Sequence, residues 1–387
     1  MRFASLAVRL FAVLLVSVLA TGMARAQLFE TKAKQAILVD YETGTVLFAK
    51  NADELVPPAS LAKLMTMEVV FNALKAGTLS VDDEFLVTEN AWRTGGSESG
   101  GSTMFAKLKS SIRVGDLIRG VIIQSANDGC IILAEGMAGS EGIFAQLMTE
   151  RARKLGLEKS VFRNSTGLPD PEQKVTMREL AKLAMHIFRT YPEFYPIYSE
   201  REFTWNKITQ RNRNPLLSMD IGADGMKTGF TEESGYAIVG SASRDGRRVF
   251  IAMSGMSSMN ERAEEARKLI DWGMRAFQPM TLFKAGEVVG SARLYGGEKL
   301  SVDLRPEGEL KIFVPLVNRD KMKARIVYDG PVPAPVRQGQ PIGMLRVYIG
   351  EEMSQETPLF AAENVDKGNL HRQALDALGE LVLGWLP

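Results

Sequence analysis

The sequence predicts an α/β fold in which helices pack against an antiparallel sheet, followed by a small all-β domain and a C-terminal amphipathic helix. Extended segments at both ends of the first 280 residues enclose a mostly helical middle, and short, partly alternating segments follow. The last residues repeat apolar side chains at three- and four-residue steps. With 387 residues, 45% of them hydrophobic, the chain is long and apolar enough for two domains. We expect a first domain over residues 27–280, a β-rich domain over 281–363 and the helix over 364–387.

Residues 1–26 have the pattern of a secretory signal peptide. Arg2 and Arg9 come before an apolar run over residues 10–19, and residues 24–26 offer the small side chains that a signal peptidase reads. The apolar run is short for the alternative, an uncleaved transmembrane anchor. Cleavage after residue 26 removes three arginines and no acids, so the 47 basic side chains fall to 44 against 46 acidic ones. We therefore expect an exported protein, and its charge indicates no nucleic-acid partner.

The cysteine and histidine content excludes several kinds of site. Cys130 is the only cysteine, so the chain cannot form an internal disulfide, and we expect a small buried side chain there. The two histidines, His186 and His371, lie in a predicted helical stretch and in the tail. Neither has the neighbours that a Ser-His-Asp triad or a zinc site requires. Nucleophilic chemistry in this chain must therefore use another base.

The first domain has predicted strands at its two ends and predicted helices between them. In order, the predicted elements are strands at residues 36–41 and 46–49, a helix from Ser60 that Gly77 ends, a helical middle over 114–191, an extended region over 223–256 and a helix over 261–277. Asp245-Gly246 in the extended region is a strong signal for a hairpin turn. Residues 95–101 are glycine-rich but lack the ending of a phosphate loop, so we expect a flexible lid or a linker.

The second domain and the tail differ from each other in pattern. The strands predicted for the second domain are at residues 288–295, 310–317, 323–328 and 344–349. The amphipathic tail is too short to span a bilayer. Its pattern leaves two interpretations open: an anchor that lies in a membrane interface, and a helix packed on its own domain. The polar face is not strongly basic, which argues against the anchor.

Ser60-Leu61-Ala62-Lys63 is the first of three motifs with catalytic potential. Residues three apart on a helix share a face, so Ser60 and Lys63 can touch. The positive field at the start of a helix favours a deprotonated serine and opposes a protonated lysine, and a second cation nearby would lower the pKa of Lys63 further. A neutral Lys63 could then take the proton of Ser60, which would make Ser60 a nucleophile without the help of a histidine.

The other two motifs are Ser125-Ala126-Asn127 and Lys227-Thr228-Gly229. A hydroxyl and an amide two residues apart suit a proton relay and a hydrogen bond to a substrate. The edge of a strand can receive a peptide as an added strand, and Gly229 has no side chain that would block its approach. Lys227 is a candidate for the second cation and for binding a negative charge of the substrate. Each motif alone is a weak signal, but the three in this order are a specific combination.

In these motifs the chain resembles the low-molecular-weight penicillin-binding proteins of the D-alanyl-D-alanine carboxypeptidase type, peptidase family S11. The similarity runs over nearly the whole chain after residue 26. It includes Pro57-Pro-Ala-Ser-Leu-Ala-Lys-Leu-Met-Thr, Asn90-Ala-Trp with the glycine-rich loop, Ser125-Ala-Asn-Asp, Asn164-Ser-Thr-Gly-Leu-Pro, Asp224-Gly-Met-Lys-Thr-Gly-Phe-Thr and Gly235-Tyr. The resemblance implies the sandwich fold of serine β-lactamases and penicillin-binding transpeptidases, with a β domain and an amphipathic membrane anchor after it.

The resemblance also implies a role for each catalytic residue. Ser60 would be the acylated nucleophile, and Lys63 would be its general base. Ser125 would relay protons to the leaving amine, and Asn127 would bind the substrate amide. Lys227 would line the site and help to hold the terminal carboxylate of the substrate.

The implied substrate-binding residues are Lys227, Thr228, Gly229 and Arg262. Arg262, in the helix predicted after the last strand of the first domain, falls where the family places a carboxylate-binding arginine. The guanidinium suits that task because its fork binds a carboxylate bidentately. The oxyanion hole would combine the Ser60 N–H with an N–H of Phe230 or Thr231.

The implied function is a serine-type D-Ala-D-Ala carboxypeptidase that removes the terminal D-alanine from peptidoglycan pentapeptides through an acyl-Ser60 intermediate. β-Lactams would acylate the same serine, and no metal or organic cofactor is needed. The implied location is the periplasmic face of the inner membrane, with the C-terminal helix attached peripherally to the membrane surface. The alternatives are a β-lactamase, a D,D-endopeptidase with the same nucleophile and a non-catalytic cell-wall scaffold. The chain has no Glu-x-x-Leu-Asn stretch between its second and third motifs, where class A β-lactamases carry their deacylating glutamate.

Overall fold

The computed structural model describes residues 29–317 and 322–371. By its internal contacts the chain divides after Glu30, and the residues from Thr31 onward form one compact unit. The predicted signal peptide lies outside the described residues, as does the predicted C-terminal helix from residue 372 onward.

A five-stranded antiparallel sheet lies at the centre of the first domain. Its strands are β1 (Gln35–Asp40), β2 (Val46–Lys50), β7 (Ala223–Thr231), β8 (Gly235–Arg244) and β9 (Arg247–Met256), with the short hairpins β3 (Glu84–Leu86) to β4 (Ser111–Arg113) and β5 (Glu202–Trp205) to β6 (Ile208–Arg211) outside it. The order is β2-β1-β9-β8-β7, so β7 is an edge strand. The hairpin predicted at Asp245-Gly246 is confirmed, because both residues have positive φ (51° and 78°) between β8 and β9, as a tight hairpin turn requires.

Helices cover both faces of this sheet, which confirms the predicted α/β sandwich. They are α1 (Lys63–Lys75), α2 (Val114–Ile123), α3 (Asn127–Ala138), α4 (Glu141–Lys154), α5 (Met177–Thr190) and α6 (Met259–Arg275). Helix α6 packs so closely on one face that a Cβ at Gly273 would lie 2.5 Å from Leu38 Cδ2. Ile37 and Val39 alternate with Leu38 along β1 and join the core shared with the other helices.

The helix predicted from Ser60 begins with a different geometry. Ala59–Ala62 is a 3₁₀ turn, and α1 continues directly from it at Lys63. The predicted end is confirmed, since α1 stops at Lys75 and Gly77 adopts a positive φ of 70°. The nucleophile candidate therefore lies in a tight turn at the start of a long helix.

Short strands build the second domain around its own core. They are β10 (Phe277–Phe283), β11 (Gly290–Tyr295), β12 (Ser301–Arg305), β13 (Leu310–Pro315), β14 (Met322–Tyr328), β15 (Val332–Pro333), β16 (Pro341–Ile349) and β17 (Glu352–Ala361). Strand β10 pairs with β13, and a six-stranded sheet has the order β14-β16-β17-β12-β11-β15. The four predicted strands correspond to β11, β13, β14 and β16, whereas β10, β12, β15 and β17 were not predicted. The expected boundary after residue 280 falls inside β10.

Arg247 connects the sheet of the first domain to the second domain. Its Nε donates a hydrogen bond to the fully buried Asp40 (3.0 Å), and its guanidinium lies 3.8 Å from the ring centre of Phe313. Next to it, Thr45 Oγ1 donates to Gln355 Oε1 at 3.1 Å. One partly buried arginine and the turn after β1 thus hold β13 and β17 against the first domain.

The start predicted for the C-terminal helix, residue 364, was wrong. Residues 364–369 are not helical, and the described helical residues begin at Leu370. Val365 is fully buried and bridges to Val336, and Lys367 bridges to Gly297. Gly368 and Asn369 stand three and four residues after Val365, so the apolar spacing of the tail does not extend back to Val365, and burial in the second domain determines the conformation there. Within the described ranges, no helix is long and apolar enough to cross a membrane.

We expect Arg247→Ala to lower the free energy of unfolding by about 3–5 kcal/mol, because it leaves the buried Asp40 carboxylate without its cation. Urea unfolding followed by circular dichroism measures the loss. Arg337→Ala is the matched control, since Arg337 and Asp366 form an ion pair that is more than half exposed, worth less than about 1 kcal/mol. Equal losses in the two variants would contradict the proposed contribution of Arg247.

Candidate active site

The structure brings Ser60 and Lys63 into contact, as the sequence predicts. The 3₁₀ turn places Lys63 Nζ 3.0 Å from Ser60 Oγ. Ser60 is half-buried, so its hydroxyl remains accessible from solvent, whereas Lys63 is 1% exposed. This pair can exchange a proton without any rearrangement of the backbone.

Three oxygen atoms surround the buried amine of Lys63. Besides the Ser60 hydroxyl, it donates to Asn127 Oδ1 at 2.8 Å and to the carbonyl oxygen of Thr166 at 2.5 Å. Burial lowers the pKa of Lys63, because removal from water disfavours the charged ammonium. The positive charge of Arg213 lowers this pKa further, while the nearby Cys130, Glu141 and Asp128 oppose the shift. The environment therefore favours the neutral amine that a general base needs.

The Thr166 carbonyl is a contact that the sequence analysis did not find. It belongs to the Asn164-Ser-Thr-Gly-Leu-Pro stretch, to which no role was assigned. Gly167 follows with φ of 84°, and a Cβ there would lie 1.8 Å from the Ala59 carbonyl oxygen. Only glycine lets this loop approach the turn that carries Ser60. The glycine was the available signal, because a backbone carbonyl is present at every residue and marks no position in a sequence.

Ser125 and Lys227 form a second contact next to the first. Lys227 Nζ donates to Ser125 Oγ at 2.9 Å and to the Thr228 carbonyl at 3.1 Å. Burial also lowers the pKa of Lys227 well below its usual range, and the charges of Lys63, Arg213 and Arg262 add to that shift. Ser125 has a positive φ of 61°, a conformation that costs about 1–3 kcal/mol in a non-glycine residue. The fold holds the hydroxyl towards Lys227 despite this cost.

The edge strand β7 carries the third motif past Ser60. Lys227 and Gly229 lie on the face of the sheet towards Ser60, and Thr228 and Phe230 lie on the other face, since side chains alternate. A Cβ at Gly229 would lie 3.2 Å from Ser60 N and 3.1 Å from Ala59 Cβ. The backbone of β7 thus runs directly along the Ser60 turn, with its outer edge unpaired.

Arg262 is close to the site but does not contact the Ser60–Lys63 pair in the described structure. It lies on the first turns of α6, is 7% exposed, and its guanidinium stands 5.7 Å from the ring centre of Tyr236. Its Nε is buried and has no hydrogen-bond partner within the described ranges. Burial lowers the pKa of Arg262. An unpartnered guanidinium nitrogen of this kind is available for an anion.

The remaining candidates lie outside this constellation or are buried within it. His186 contacts Thr190 and lies 3.3 Å from Glu68 Oε2, and His371 is exposed. Cys130 is fully buried, as expected, and burial raises the pKa of its thiol to about 12. In the part of the chain that the structure describes, no three His, Cys, Asp or Glu side chains form a group that could hold a metal.

A serine at the start of a helix, a buried lysine one turn on and a second buried lysine on the adjacent sheet edge are the arrangement of a hydrolase of the penicillin-binding class. Comparison with family models identifies the family. Residues 21–257 match the model of D-alanyl-D-alanine carboxypeptidase peptidases, family S11, and residues 277–367 match the C-terminal domain of penicillin-binding protein 5. The chain belongs to the S11 family of D-alanyl-D-alanine carboxypeptidases.

Curated relatives and solved structures agree with this. The chain is 39% identical over 347 residues to the D-alanyl-D-alanine carboxypeptidase DacC of Escherichia coli, which covers 89% of this chain and 87% of that protein. It is 36% identical to DacD of the same organism, over 90% of each chain. The crystal structure of penicillin-binding protein 5 from Haemophilus influenzae superposes with a TM-score of 0.72 at 35% identity, covering 88% of this chain and 99% of that one. The likeness therefore includes both domains.

Gly229→Ala is expected to slow acylation by a fluorescent penicillin by on the order of tenfold, because its Cβ would push the Ser60 turn away from β7. The measurement is the second-order rate constant of labelling. Gly142→Ala is the matched control, since nothing lies within 4 Å of a Cβ at that position. A Gly229→Ala rate equal to that of the control would show that β7 need not approach Ser60 so closely.

Arg213→Gln should move the acidic limb of the pH–acylation profile to higher pH. Arg213 lowers the pKa of Lys63, so its removal raises that pKa, and the neutral amine then appears only at higher pH. Arg211→Gln serves as the control, because Arg211 is exposed and is not among the charges that shift this pKa. A limb that stays in place or moves to lower pH would refute the electrostatic role of Arg213.

Proposed function

We propose that this protein is a serine-type D-Ala-D-Ala carboxypeptidase that removes the terminal D-alanine from peptidoglycan pentapeptides through an acyl-Ser60 intermediate. The observation that carries the proposal is the buried Lys63 amine 3.0 Å from Ser60 Oγ. The names of the relatives support the same substrate class, since the proteins they describe are D-alanyl-D-alanine carboxypeptidases.

In the first step, neutral Lys63 takes the Ser60 proton while Ser60 Oγ attacks the carbonyl carbon between the two D-alanines. The tetrahedral intermediate then collapses, the peptide C–N bond breaks, and the leaving nitrogen needs one proton. Ser125 supplies it, and the proton that Lys63 took from Ser60 restores the Ser125 hydroxyl, so that Lys63 is neutral again, while the Lys227 amine at 2.9 Å stabilises the Ser125 oxygen. The products of this step are free D-alanine and an ester on Ser60.

Substrate binding relies on the edge of β7. The peptide adds as a further strand along residues 227–231, and Gly229 leaves room for its backbone. Asn127 binds the substrate amide next to the nucleophile. The N–H groups of Ser60 and of Phe230 or Thr231 receive the developing oxyanion. Because β7 is an edge strand, the terminal carboxylate can meet Lys227 from the Ser60 face and, around the edge, Thr228 and the Arg262 guanidinium, whose Nε has no partner within the described residues.

The second step hydrolyses the ester and frees Ser60, with Lys63 again exchanging the proton. A β-lactam ring contains the same acylating carbonyl, so it acylates Ser60 by the same route. Lys63 Nζ donates to the Thr166 carbonyl, and a carbonyl cannot act as a base. A β-lactamase of class A uses a glutamate base for deacylation, so this contact favours a carboxypeptidase. The closely connected Ser60–Lys63 and Ser125–Lys227 pairs favour an enzyme over a non-catalytic scaffold.

We also propose where the protein acts and how it is divided. After cleavage of residues 1–26 it would work at the periplasmic face of the inner membrane. The domain boundary would lie at about residue 276, because β10 pairs with β13 of the second domain. Residues 372–387 would attach the protein peripherally to the membrane through their apolar face.

Ser60→Ala should abolish both fluorescent-penicillin labelling and the release of D-alanine from a pentapeptide, because no other group is held against Lys63 Nζ to act as nucleophile. Intact-mass spectrometry after incubation with a β-lactam measures the covalent adduct, and circular dichroism confirms folding. Ser218→Ala, at an exposed serine outside the site, is the control that should retain both. An adduct of the same mass on Ser60→Ala would reject this nucleophile.

Deletion of residues 372–387 should release the protein from membranes and leave hydrolysis intact. The cut after residue 371 keeps Val365 and Lys367, which bridge to the second domain. Flotation with vesicles measures attachment. Leu378→Glu with Leu381→Glu tests the same point at full length, because two carboxylates on the apolar face oppose insertion. Co-flotation of both variants would show that another part of the chain binds the membrane.

A further inference from the structure

Asp128 is a fully buried carboxylate, next to Asn127, whose four hydrogen bonds are all made to backbone or side-chain groups of the protein. Oδ2 accepts from Thr103 Oγ1 (2.6 Å) and from Ala106 N (3.0 Å). Oδ1 accepts from Met104 N and from Gly129 N, both at 3.0 Å. A carboxylate has about four acceptor positions, so Asp128 is saturated. Three of the four donors belong to one segment, residues 101–106.

That segment lies directly against Asn127. Asn127 N donates to the Ser102 carbonyl at 2.7 Å. A Cβ at Gly101 would lie 2.8 Å from Asn127 Nδ2, so the backbone at residue 101 packs too closely on the Asn127 amide to leave space for a side chain. Gln210 Nε2 on β6 donates to the Thr103 carbonyl at 2.8 Å and holds the segment from its other side. The position of the Asn127 amide therefore depends on where Asp128 holds residues 101–106.

Asp128 is also one of the charges that act on Lys63. The other titratable groups that act on its pKa are Cys130 on the same helix, Glu141 on α4 and Arg213 after β6. Lys227 on β7 faces the same site, and Lys63 lowers the pKa of Lys227. The negative charge of Asp128 opposes the lowering of the Lys63 pKa that burial causes. A substitution at Asp128 therefore changes the pKa of Lys63 through the lost charge, and it changes the position of Asn127 through residues 101–106.

We propose that Asp128 is a positioning residue of the reaction: it clamps residues 101–106 onto Asn127, so that the amide that binds the substrate is held against the Ser60–Lys63 pair before the substrate arrives. The proposal rests on the carboxypeptidase function proposed above. Asn127 Oδ1 accepts from Lys63 Nζ at 2.8 Å, which connects the clamp to the base by a single hydrogen bond. Because the Asn127 amide is already in position before the substrate binds, the chemical step does not have to overcome the entropy cost of ordering it.

A purely structural role predicts a different behaviour. Asp128 is in the first turn of α3, where a carboxylate stabilises the helix through its dipole. If that were all, its replacement would lower stability but would change neither the plateau rate of acylation nor the accessibility of residues 101–109. Variants that separate charge from hydrogen bonding can therefore distinguish the two roles.

The experiment compares Asp128→Asn with Thr103→Val by stopped-flow acylation with a fluorescent penicillin across pH. Asparagine can accept hydrogen bonds on one oxygen only, so two of the donors lose their acceptor. We expect the plateau rate of Asp128→Asn to fall about 10- to 100-fold and its acidic limb to move to lower pH, because the lost negative charge favours neutral Lys63. Thr103→Val removes one donor and no charge, so its plateau should fall less and its acidic limb should stay in place.

Limited proteolysis with trypsin supplies the second readout, since Lys107 and Lys109 are exposed just beyond the segment. Both variants should be cleaved there faster than the unmodified protein. An Asp128→Asn variant with an unchanged plateau, an unchanged acidic limb or unchanged cleavage would overturn the proposal. If Asp128→Asn does not fold, Thr103→Val decides alone, and a rate and cleavage pattern equal to those of the unmodified protein would overturn it. Failure of the unmodified protein to be acylated would instead refute the proposed function.

Discussion

The lysine amine that is buried beside a serine hydroxyl is the constraint on which the rest of this structure depends. An ammonium group taken out of water loses hydration, and the amine loses its proton more readily as a result. Lys63 is in this state, held by the oxygens of Ser60, Asn127 and Thr166. Each of the three comes from a different part of the chain. The fold must therefore bring three segments to one nitrogen atom, and the helices and sheet around it accomplish this.

Glycine residues make the close approaches possible. Gly229 lets the edge strand run along the Ser60 turn, and Gly167 lets the loop with Thr166 reach the same turn from another direction. A Cβ at Gly167 would lie 1.8 Å from the Ala59 carbonyl oxygen and would force the loop away, whereas a Cβ at Gly229, 3.1 Å from Ala59 Cβ, would require a smaller shift. The site is therefore built from backbone contacts as much as from functional groups. Its precision depends on the packing of α1, β7 and the 164–168 loop against one another.

The prediction of the fold succeeded where local signals were strong. The Asp245-Gly246 turn lies between two long strands, and the helical middle corresponds to α2, α3, α4 and α5. It failed where no local signal marks an element. Residues 364–369 were assigned to the C-terminal helix although no apolar side chain stands three or four residues after Val365, and Val365 instead closes the core of the second domain. Strand β17 contains two glutamates and a proline, so no local preference marks it, and its pairing with β16 and β12 determines its conformation.

Residue chemistry alone determined the main parts of the candidate site. The absence of a suitably placed histidine pointed to a lysine base, and the three motifs supplied Ser60, Lys63, Ser125, Asn127 and Lys227. Tertiary structure alone decided that Lys63 is buried and that it donates to a backbone carbonyl. It also decided that Asp128 and Arg213, from separate segments, shift the pKa of Lys63. The physical reason is that the sequence gives the type of each side chain directly. Its burial, its charged neighbours and its contacts with carbonyl groups depend on segments that come together only in the folded chain.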